Sequence, residues 1–100
     1  MGVENWTALH FAARYGKEAV AAQLLQAGAS VSAVTANGST PLHLAARCGK
    51  SSIANLMLQV NASHTAVDNG GNTPAQYAKQ HGYGDLAARL LEAEQAAALK

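Results

Sequence analysis

The chain is short of several kinds of residue, and each shortage excludes a class of protein. It has one cysteine, Cys48, so it forms no internal disulfide and no cysteine-based metal framework. Only 13% of its 100 residues are charged and the net charge is +1, which is too weak to attract nucleic acid. No apolar run approaches the roughly 20 residues of a membrane helix, and the first residues do not resemble a signal peptide. We therefore expect no nucleic-acid or membrane partner and a cytoplasmic location, with the nucleus as the alternative.

What the chain does have is one short phrase that occurs three times at a spacing of 33 residues. The phrase reads TALHFAA from Thr7, TPLHLAA from Thr40 and TPAQYAK from Thr73. A threonine at this point can cap a helix with its hydroxyl, a contribution of about 1 kcal/mol. The proline that follows it in two of the copies suits the first position of a helix. Each phrase therefore predicts the start of a short helix, and a shared glycine predicts the turn that ends it (Gly16, Gly49 and Gly82).

A second helix is predicted after each of these turns. Val20, Ile53 and Leu86 occupy one repeat position, and further apolar residues follow four positions later on the same helical face. Ser52 and Asp85 are the predicted N-caps of the second helices in the second and third copies. Equivalent ends are predicted at Gly28, Asn61 and Glu94, although the last helix is expected to run on through strong helix formers. Left-handed backbone is expected at Gly28 and Asn61, and at the connecting positions Asn5, Gly38 and Gly71.

A 33-residue period built on this phrase resembles the ankyrin repeat family over nearly the whole chain. The resemblance implies an all-α solenoid of stacked helix–turn–helix units with short β-hairpin fingers. We expect a single domain, 1–100, with repeat one at about 2–34, repeat two at about 35–67 and a capping repeat three at about 68–100. It also implies that His10 and His43 are structural, each bonding to the phrase threonine and to neighbouring backbone.

The two terminal repeats differ in how they depart from the family phrase. Repeat three carries Ala75, Gln76 and Lys79 where the phrase has Leu, His and Ala, so its outer side is more polar, as expected of a cap. Repeat one keeps an internal-looking apolar pattern. Either the chain is a fragment of a longer array, or something else covers this N-terminal edge. A monomer is expected, with a dimer through that edge as the alternative.

Three patterns in the sequence suggest chemistry, and each lacks a required part. His64 and His81 have no paired ligand spacing for a metal. Gly49-Lys50-Ser51 resembles the end of a phosphate-binding loop but lacks the earlier glycine and the preceding strand. Cys48 has no activating base or orienting acid in the pattern. We therefore expect no enzyme activity, no cofactor and no metal.

The resemblance further implies that a protein partner docks on the concave side, formed by the fingers and the first helices. Trp6 and Tyr15 are the predicted hydrophobic anchors, although Trp6 has packing beneath a finger as its alternative role. Arg14 and Arg47 lie one period apart and form a short basic line that favours acidic contact residues on the partner. Carried over by repeat position, the candidate partner-binding residues are Trp6, Arg14, Tyr15, Asn37, Ser39, Arg47, Asn72, Gln80 and His81.

The sequence thus predicts a non-catalytic protein–protein interaction module that acts as an adaptor or scaffold. An inhibitory or regulatory subunit of an enzyme is the alternative that the same residues allow. The partner itself is not specified by the repeat, because the framework residues are shared by arrays with many different functions.

Overall fold

The computed structural model describes residues 5–60 and 66–98, and these form six α-helices joined by turns. Unit one contains α1 (Ala8–Tyr15) and α2 (Glu18–Gln26). Unit two contains α3 (Pro41–Arg47) and α4 (Ser51–Gln59), and unit three contains α5 (Pro74–Gln80) and α6 (Gly84–Ala98). The predicted all-α repeat of helix–turn–helix units is therefore confirmed.

Every first helix begins with the same reciprocal cap. The hydroxyls of Thr7, Thr40 and Thr73 accept from the backbone N–H three residues later, at 3.3, 3.3 and 3.2 Å. The side chain at that later position accepts in turn from the N–H of the threonine, at 2.9, 3.0 and 2.8 Å. Two backbone donors that the helix leaves unpaired are satisfied in this way. The helix starts predicted from the phrase are confirmed.

The turn between the two helices of a unit depends on its glycine. Gly16, Gly49 and Gly82 have φ angles of 70°, 69° and 84°, in the left-handed region that glycine adopts without a steric penalty. The residue after the glycine turns its N–H back to the first helix, as Lys50 N does to Ala45 O at 2.8 Å. This is the hydrogen-bond pattern of a Schellman motif. The predicted glycine turns are confirmed.

The same turn explains why the predicted caps of the second helices were wrong. Helix α4 begins at Ser51 and α6 begins at Gly84, so Ser52 and Asp85 lie inside their helices. The N-cap of α4 is Lys50, which makes no side-chain capping bond and has ψ of 77°. Because the Schellman turn re-enters a helix at once, it leaves no extended residue whose side chain could cap.

The backbone conformations predicted for the ends of the units and for the connecting segments agree better with the structure. Gly28 has φ of 89°, and Asn5, Gly38 and Gly71 have φ of 66°, 80° and 81°, so the predicted left-handed positions are confirmed. Asn61 lies outside the described residues. Helix α6 continues past position 94 to Ala98, as its run of helix formers predicts.

The units stack so that the helices form two layers. Helices α1, α3 and α5 pack side by side, and α2 packs against α4. Alanines at one shared position of the first helices are fully or almost fully buried, which allows these helices to approach closely: Ala12, Ala45 and Ala78. Larger apolar side chains fill the space between the layers, among them Leu9, Leu42, Ile53, Met57, Leu86 and Leu90.

The fingers that connect the units are turns, and no strand is assigned in their described parts. One cross-turn pair closes each: Thr35 N donates to Ser39 O at 3.0 Å, and Asp68 N donates to Asn72 O at 3.1 Å. Of the predicted β-hairpins, the described parts of the chain form only the turns at the tips. Of the helices that the structure describes, none combines the length and apolar character needed to cross a membrane.

Candidate partner-binding face

The position of each finger is fixed by a histidine of the preceding unit. His10 Nε2 lies 3.0 Å from Ser39 O, and His43 Nε2 lies 2.8 Å from Asn72 O. In both rings Nδ1 accepts the threonine N–H, so Nε2 carries the proton and donates it to the carbonyl. The structural role that the resemblance implies for His10 and His43 is confirmed, and it ties a first helix to the base of the next finger.

Both histidines are held neutral by this arrangement. Burial lowers the pKa of His10, and the hydrogen bonds to backbone carbonyls only partly offset it. Burial likewise lowers the pKa of His43, against the opposing effects of the Asn72 carbonyl and the Asp68 carboxylate. A second proton on either ring would leave Nδ1 facing the threonine N–H as a donor.

Each finger turn is organised around one buried side chain at the same repeat position. In the second finger the Thr35 hydroxyl accepts from the N–H groups of Asn37 and Ser39, at 3.2 and 3.3 Å. In the third finger Asp68 Oδ1 accepts from Gly70 N and Asn72 N, at 2.9 and 3.0 Å. A polar residue that bonds the turn backbone is a common way to stabilise such turns.

Asp68 also accepts a hydrogen bond from a side chain of the following helix. The Tyr77 hydroxyl donates to Asp68 Oδ2. Burial raises the pKa of Asp68, but the bonds from Tyr77, Asn72 and Gly70 outweigh it and hold that pKa below its ordinary value. The pKa of Tyr77 is raised by its burial and by the same carboxylate. The third finger is thereby fastened to helix α5.

The finger tips are fastened to each other. Asn69 N donates to Asn37 O at 2.9 Å, and Asn69 Nδ2 donates to Ala36 O at 3.2 Å. The Asn69 side chain also lies against Gly38, where a Cβ would come within 2.6 Å of Asn69 Oδ1. The second and third fingers therefore form one continuous rim.

Unit one contributes a row of aromatic rings. The centroids of Trp6 and Phe11 are 5.0 Å apart, and those of Phe11 and Tyr15 are 6.5 Å apart with nearly parallel planes. The Arg14 guanidinium carbon lies 5.5 Å from the Tyr15 ring centroid, within range of a cation–π interaction. Trp6 is half-buried and also packs against the core, whereas Arg14 and Tyr15 are exposed.

Most of the remaining candidate residues present side chains to solvent. Arg47 and Asn37 are exposed, and His81 is exposed with its ring stacked on Tyr77 at 6.4 Å. Gln80 Nε2 donates to Asn72 Oδ1 at 3.4 Å, so these two candidates contact each other. Ser39 is buried and its carbonyl is occupied by His10, so its contribution is to hold the finger.

The sequence reasoning missed three exposed apolar residues on the fingers and first helices. Val34 and Val67 occupy one finger position, a period apart, and both are exposed. They lie one period apart in the sequence, but outside the threonine phrase that defines the repeat. Phe11 was interpreted as part of an internal apolar pattern, and only the stacking shows that its ring lies between Trp6 and Tyr15.

Among the side chains described, those of residues 5–60 and 66–93, no three His, Cys, Asp or Glu come close enough together to hold a metal ion. Cys48 is half-buried at the end of α3, and His64 lies outside the described residues.

Stacked helix pairs with turn-shaped fingers define a helical repeat protein whose units each contact only their neighbours. The chain belongs to the ankyrin repeat family, whose model matches residues 9–99 with three copies of the repeat. No curated protein matches the chain. Ankyrin repeats are generally protein–protein interaction modules, and the family is typically non-catalytic.

Proposed function

We propose that this chain is a non-catalytic adaptor or scaffold module that binds another protein through its concave face. We define the concave face as a set of exposed and half-buried side chains on the fingers, on the first helices and beside them: Trp6, Arg14, Tyr15, Asn37, Arg47, Asn72, Gln80 and His81, with Val34 and Val67 added. The observation that carries the proposal is the stacked Arg14–Tyr15 pair beside the Trp6 and Phe11 rings.

The residue types on the concave face are ones that are common in protein interfaces. Tyr, Trp and Arg are the types that most often supply a large share of binding energy in protein interfaces. Tyr15 is exposed and already held parallel to Phe11, so it loses little conformational freedom when a partner covers it. Arg14 and Arg47 occupy one repeat position in adjacent units, which supports a partner with acidic side chains.

The rim of the face supports the proposal in a second way. The tip-to-tip bonds from Asn69 and the histidine anchors to Ser39 and Asn72 hold the fingers before any partner arrives. A preorganised surface binds more tightly than a loose one because less ordering accompanies association. The exposed Val34 and Val67 add apolar surface to the same two fingers.

The test is affinity capture from a lysate with three forms of the chain. The first is unmodified, the second carries Arg14→Ala, Tyr15→Ala and Arg47→Ala, and the matched control carries Gln59→Ala and Val60→Ala on the second-helix side. All three are first shown to unfold at similar urea concentrations. We expect a captured protein to bind the unmodified chain and the control alike, and to bind the triple variant at least about tenfold more weakly.

Equal binding to all three forms would contradict the proposed face. The affinity of the captured protein for the unmodified chain is then measured at low and at high salt. Ion pairs between arginine and acidic residues at an exposed rim weaken as salt rises, so we expect the affinity to fall. A partner whose affinity does not change with salt would contradict the acidic contact residues.

A further inference from the structure

Two asparagines of the chain are followed directly by glycine, and both lie in finger turns. They are Asn37, which precedes Gly38, and Asn69, which precedes Gly70. In an Asn-Gly pair the backbone nitrogen of the glycine can attack the side-chain carbonyl of the asparagine, because no Cβ on the glycine obstructs the approach. Every other asparagine of the sequence precedes a residue that carries a side chain. The two pairs that are most prone to lose a side-chain amide therefore both lie in fingers.

This loss, a deamidation, needs no reagent other than water. The glycine nitrogen bonds to the asparagine Cγ and gives up its proton, and the side-chain nitrogen leaves as ammonia. Water then opens the resulting cyclic imide at one of its two carbonyls. One opening gives aspartate, and the other gives isoaspartate, in which the main chain runs through Cβ. Either product turns a neutral amide into a carboxylate and lowers the net charge of the chain from +1 to 0.

The structure holds Asn69 away from the reactive geometry. Its Nδ2 donates to Ala36 O at 3.2 Å, so the side chain must leave the second finger before its Cγ can meet the attacking nitrogen. That nitrogen, Gly70 N, donates to Asp68 Oδ1 at 2.9 Å. A hydrogen bond to a carboxylate is stronger than one between neutral groups, and the negative charge of Asp68 opposes loss of the Gly70 proton. Asn69 is thus protected at both reacting atoms.

The restraints on Asn37 are weaker. It bonds the rim through its backbone, with its N–H donating to Thr35 Oγ1 and its carbonyl accepting from Asn69 N. Its side chain is exposed. The attacking nitrogen, Gly38 N, donates to Thr35 O at 2.9 Å, which is a bond between neutral groups. Asn37 therefore reaches the reactive geometry at a smaller cost in free energy than Asn69.

We propose that Asn37 is a site of spontaneous deamidation, and that the contact between the finger tips protects Asn69 from the same reaction. The product places a carboxylate on the concave face, where the proposed partner presents its own acidic side chains. Because like charges oppose each other across an interface, the modification weakens binding as the protein ages. This effect on binding rests on the proposed function, whereas the modification itself does not.

The test measures both sites in one folded sample. The chain is kept in mildly alkaline buffer at physiological temperature, digested with trypsin and analysed by mass spectrometry. Asn37 and Asn69 fall in separate peptides, 18–47 and 51–79. We expect Asn37 to be modified at least about fivefold faster, the ratio that one additional hydrogen bond gives. In guanidinium chloride, which unfolds the fingers, we expect the two rates to become similar.

One variant is expected to move the two rates in opposite directions. In Gly38→Ala the new side chain hinders the attack on Asn37, so modification there becomes slower. The same Cβ would come within 2.6 Å of Asn69 Oδ1 and displace that side chain from Ala36 O, so modification of Asn69 becomes faster. Gly82→Ala is the matched control, since its φ is also positive but its Cβ would meet nothing within 4 Å. We expect it to leave both rates unchanged.

Three results would overturn the proposal. The first is a folded chain in which Asn37 stays unmodified while the unfolded chain reacts. The second is a folded chain in which Asn69 reacts as fast as Asn37 or faster. The third is a Gly38→Ala variant, shown to be folded by circular dichroism, in which Asn69 reacts no faster than in the unmodified chain.

The effect on binding is tested with the protein captured by the concave face. Asn37→Asp is expected to bind it more weakly than the unmodified chain. Gln59→Glu, which makes the same change of charge on the second-helix side, is expected to bind it equally well. If Asn37→Asp bound normally while the variant of Arg14, Tyr15 and Arg47 still bound weakly, the effect of deamidation on binding would be wrong and the concave face would stand.

Discussion

The two outer faces of the stack differ in chemical character and expose different repeat positions. Unit one presents Phe11 and Val20 to its open side, whereas unit three presents Gln76 and Lys79 to its own. The backbone at the two ends is alike, with the same threonine cap and the same glycine turn. Repeat position therefore decides conformation, while the presence of a neighbour decides which side chains are buried.

The glycines show the same contrast between covered and open positions. A Cβ on Gly38 or Gly49 would meet atoms of unit three at 2.6 Å, namely those of Asn69 and Tyr83. A Cβ on Gly71 or Gly82, one period later, would meet nothing within 4 Å. All four glycines have positive φ, so only the covered pair is required for packing as well as for conformation.

The largest expected effect compares one repeat position inside the stack and at its end. Ile53→Ala removes a buried side chain between units one and two, and we expect a loss of about 3 kcal/mol in the free energy of unfolding. Val20→Ala at the exposed equivalent is expected to cost about 0.5 kcal/mol. Urea unfolding followed by circular dichroism measures both. Comparable losses would mean that Val20 is already covered in solution.

The next effect concerns the phrase histidine. His43→Gln removes one of the two donors to Asn72 O and the packing of a buried ring, and we expect a cost of about 2 kcal/mol. Gln76→His in unit three is expected to stay within about 0.5 kcal/mol, since Gln76 is exposed. The same unfolding assay applies. If Gln76→His were as damaging as His43→Gln, the bridging role would not explain the cost.

A smaller effect separates conformational strain from crowding. Gly38→Ala and Gly71→Ala both place a side chain at positive φ, which costs about 1 kcal/mol. Only Gly38→Ala must also displace Asn69, so we expect its total cost to be about 2 kcal/mol. Thermal unfolding of the two variants provides the comparison. Equal losses would show that the tips of the second and third fingers are not in contact.

The last prediction concerns the loss of folding stability as the pH falls. The pKa values of His10 and His43 are lowered from 6.5 in the fold, so the unfolded chain takes up protons first as the pH falls. Stability is therefore complete above about pH 6.5 and declines below it, until the folded-state pKa values are reached. The lowered pKa of Asp68 adds a further loss below its unfolded value of 3.8.

Unfolding measured across this pH range, with a His10→Gln/His43→Gln variant as control, tests the assignment. The variant is expected to be less stable at neutral pH and to lose much of the decline that begins near pH 6.5. A variant that keeps the full decline would assign it to other groups.

Much of the fold was predictable because each unit carries its own helix-capping and turn residues. Thr40, Pro41 and Gly49 determine where a helix begins and where it turns, and the period repeats these positions. The caps at Ser52 and Asp85 were wrong because a Schellman turn joins the helices too tightly, and that geometry depends on the backbone of the whole turn.

The candidate face was predictable only in part, because burial depends on the neighbouring unit. Ser39 was selected by repeat position, yet His10 of the preceding unit holds its carbonyl and the residue is buried. Val34 and Val67 were missed since apolar residues in fingers carry no motif. The Asp68–Tyr77 bond joins residues from a finger and a helix and follows from neither pattern alone.

The most direct test of the account is native-state amide hydrogen exchange of the unmodified chain at low concentration. Unit two is covered on both sides, so we predict that the amides of α3 and α4 exchange most slowly and that those of α1 and α2 exchange faster. Protection of α1 and α2 equal to that of α3 and α4 would contradict the claim that neighbouring units determine stability.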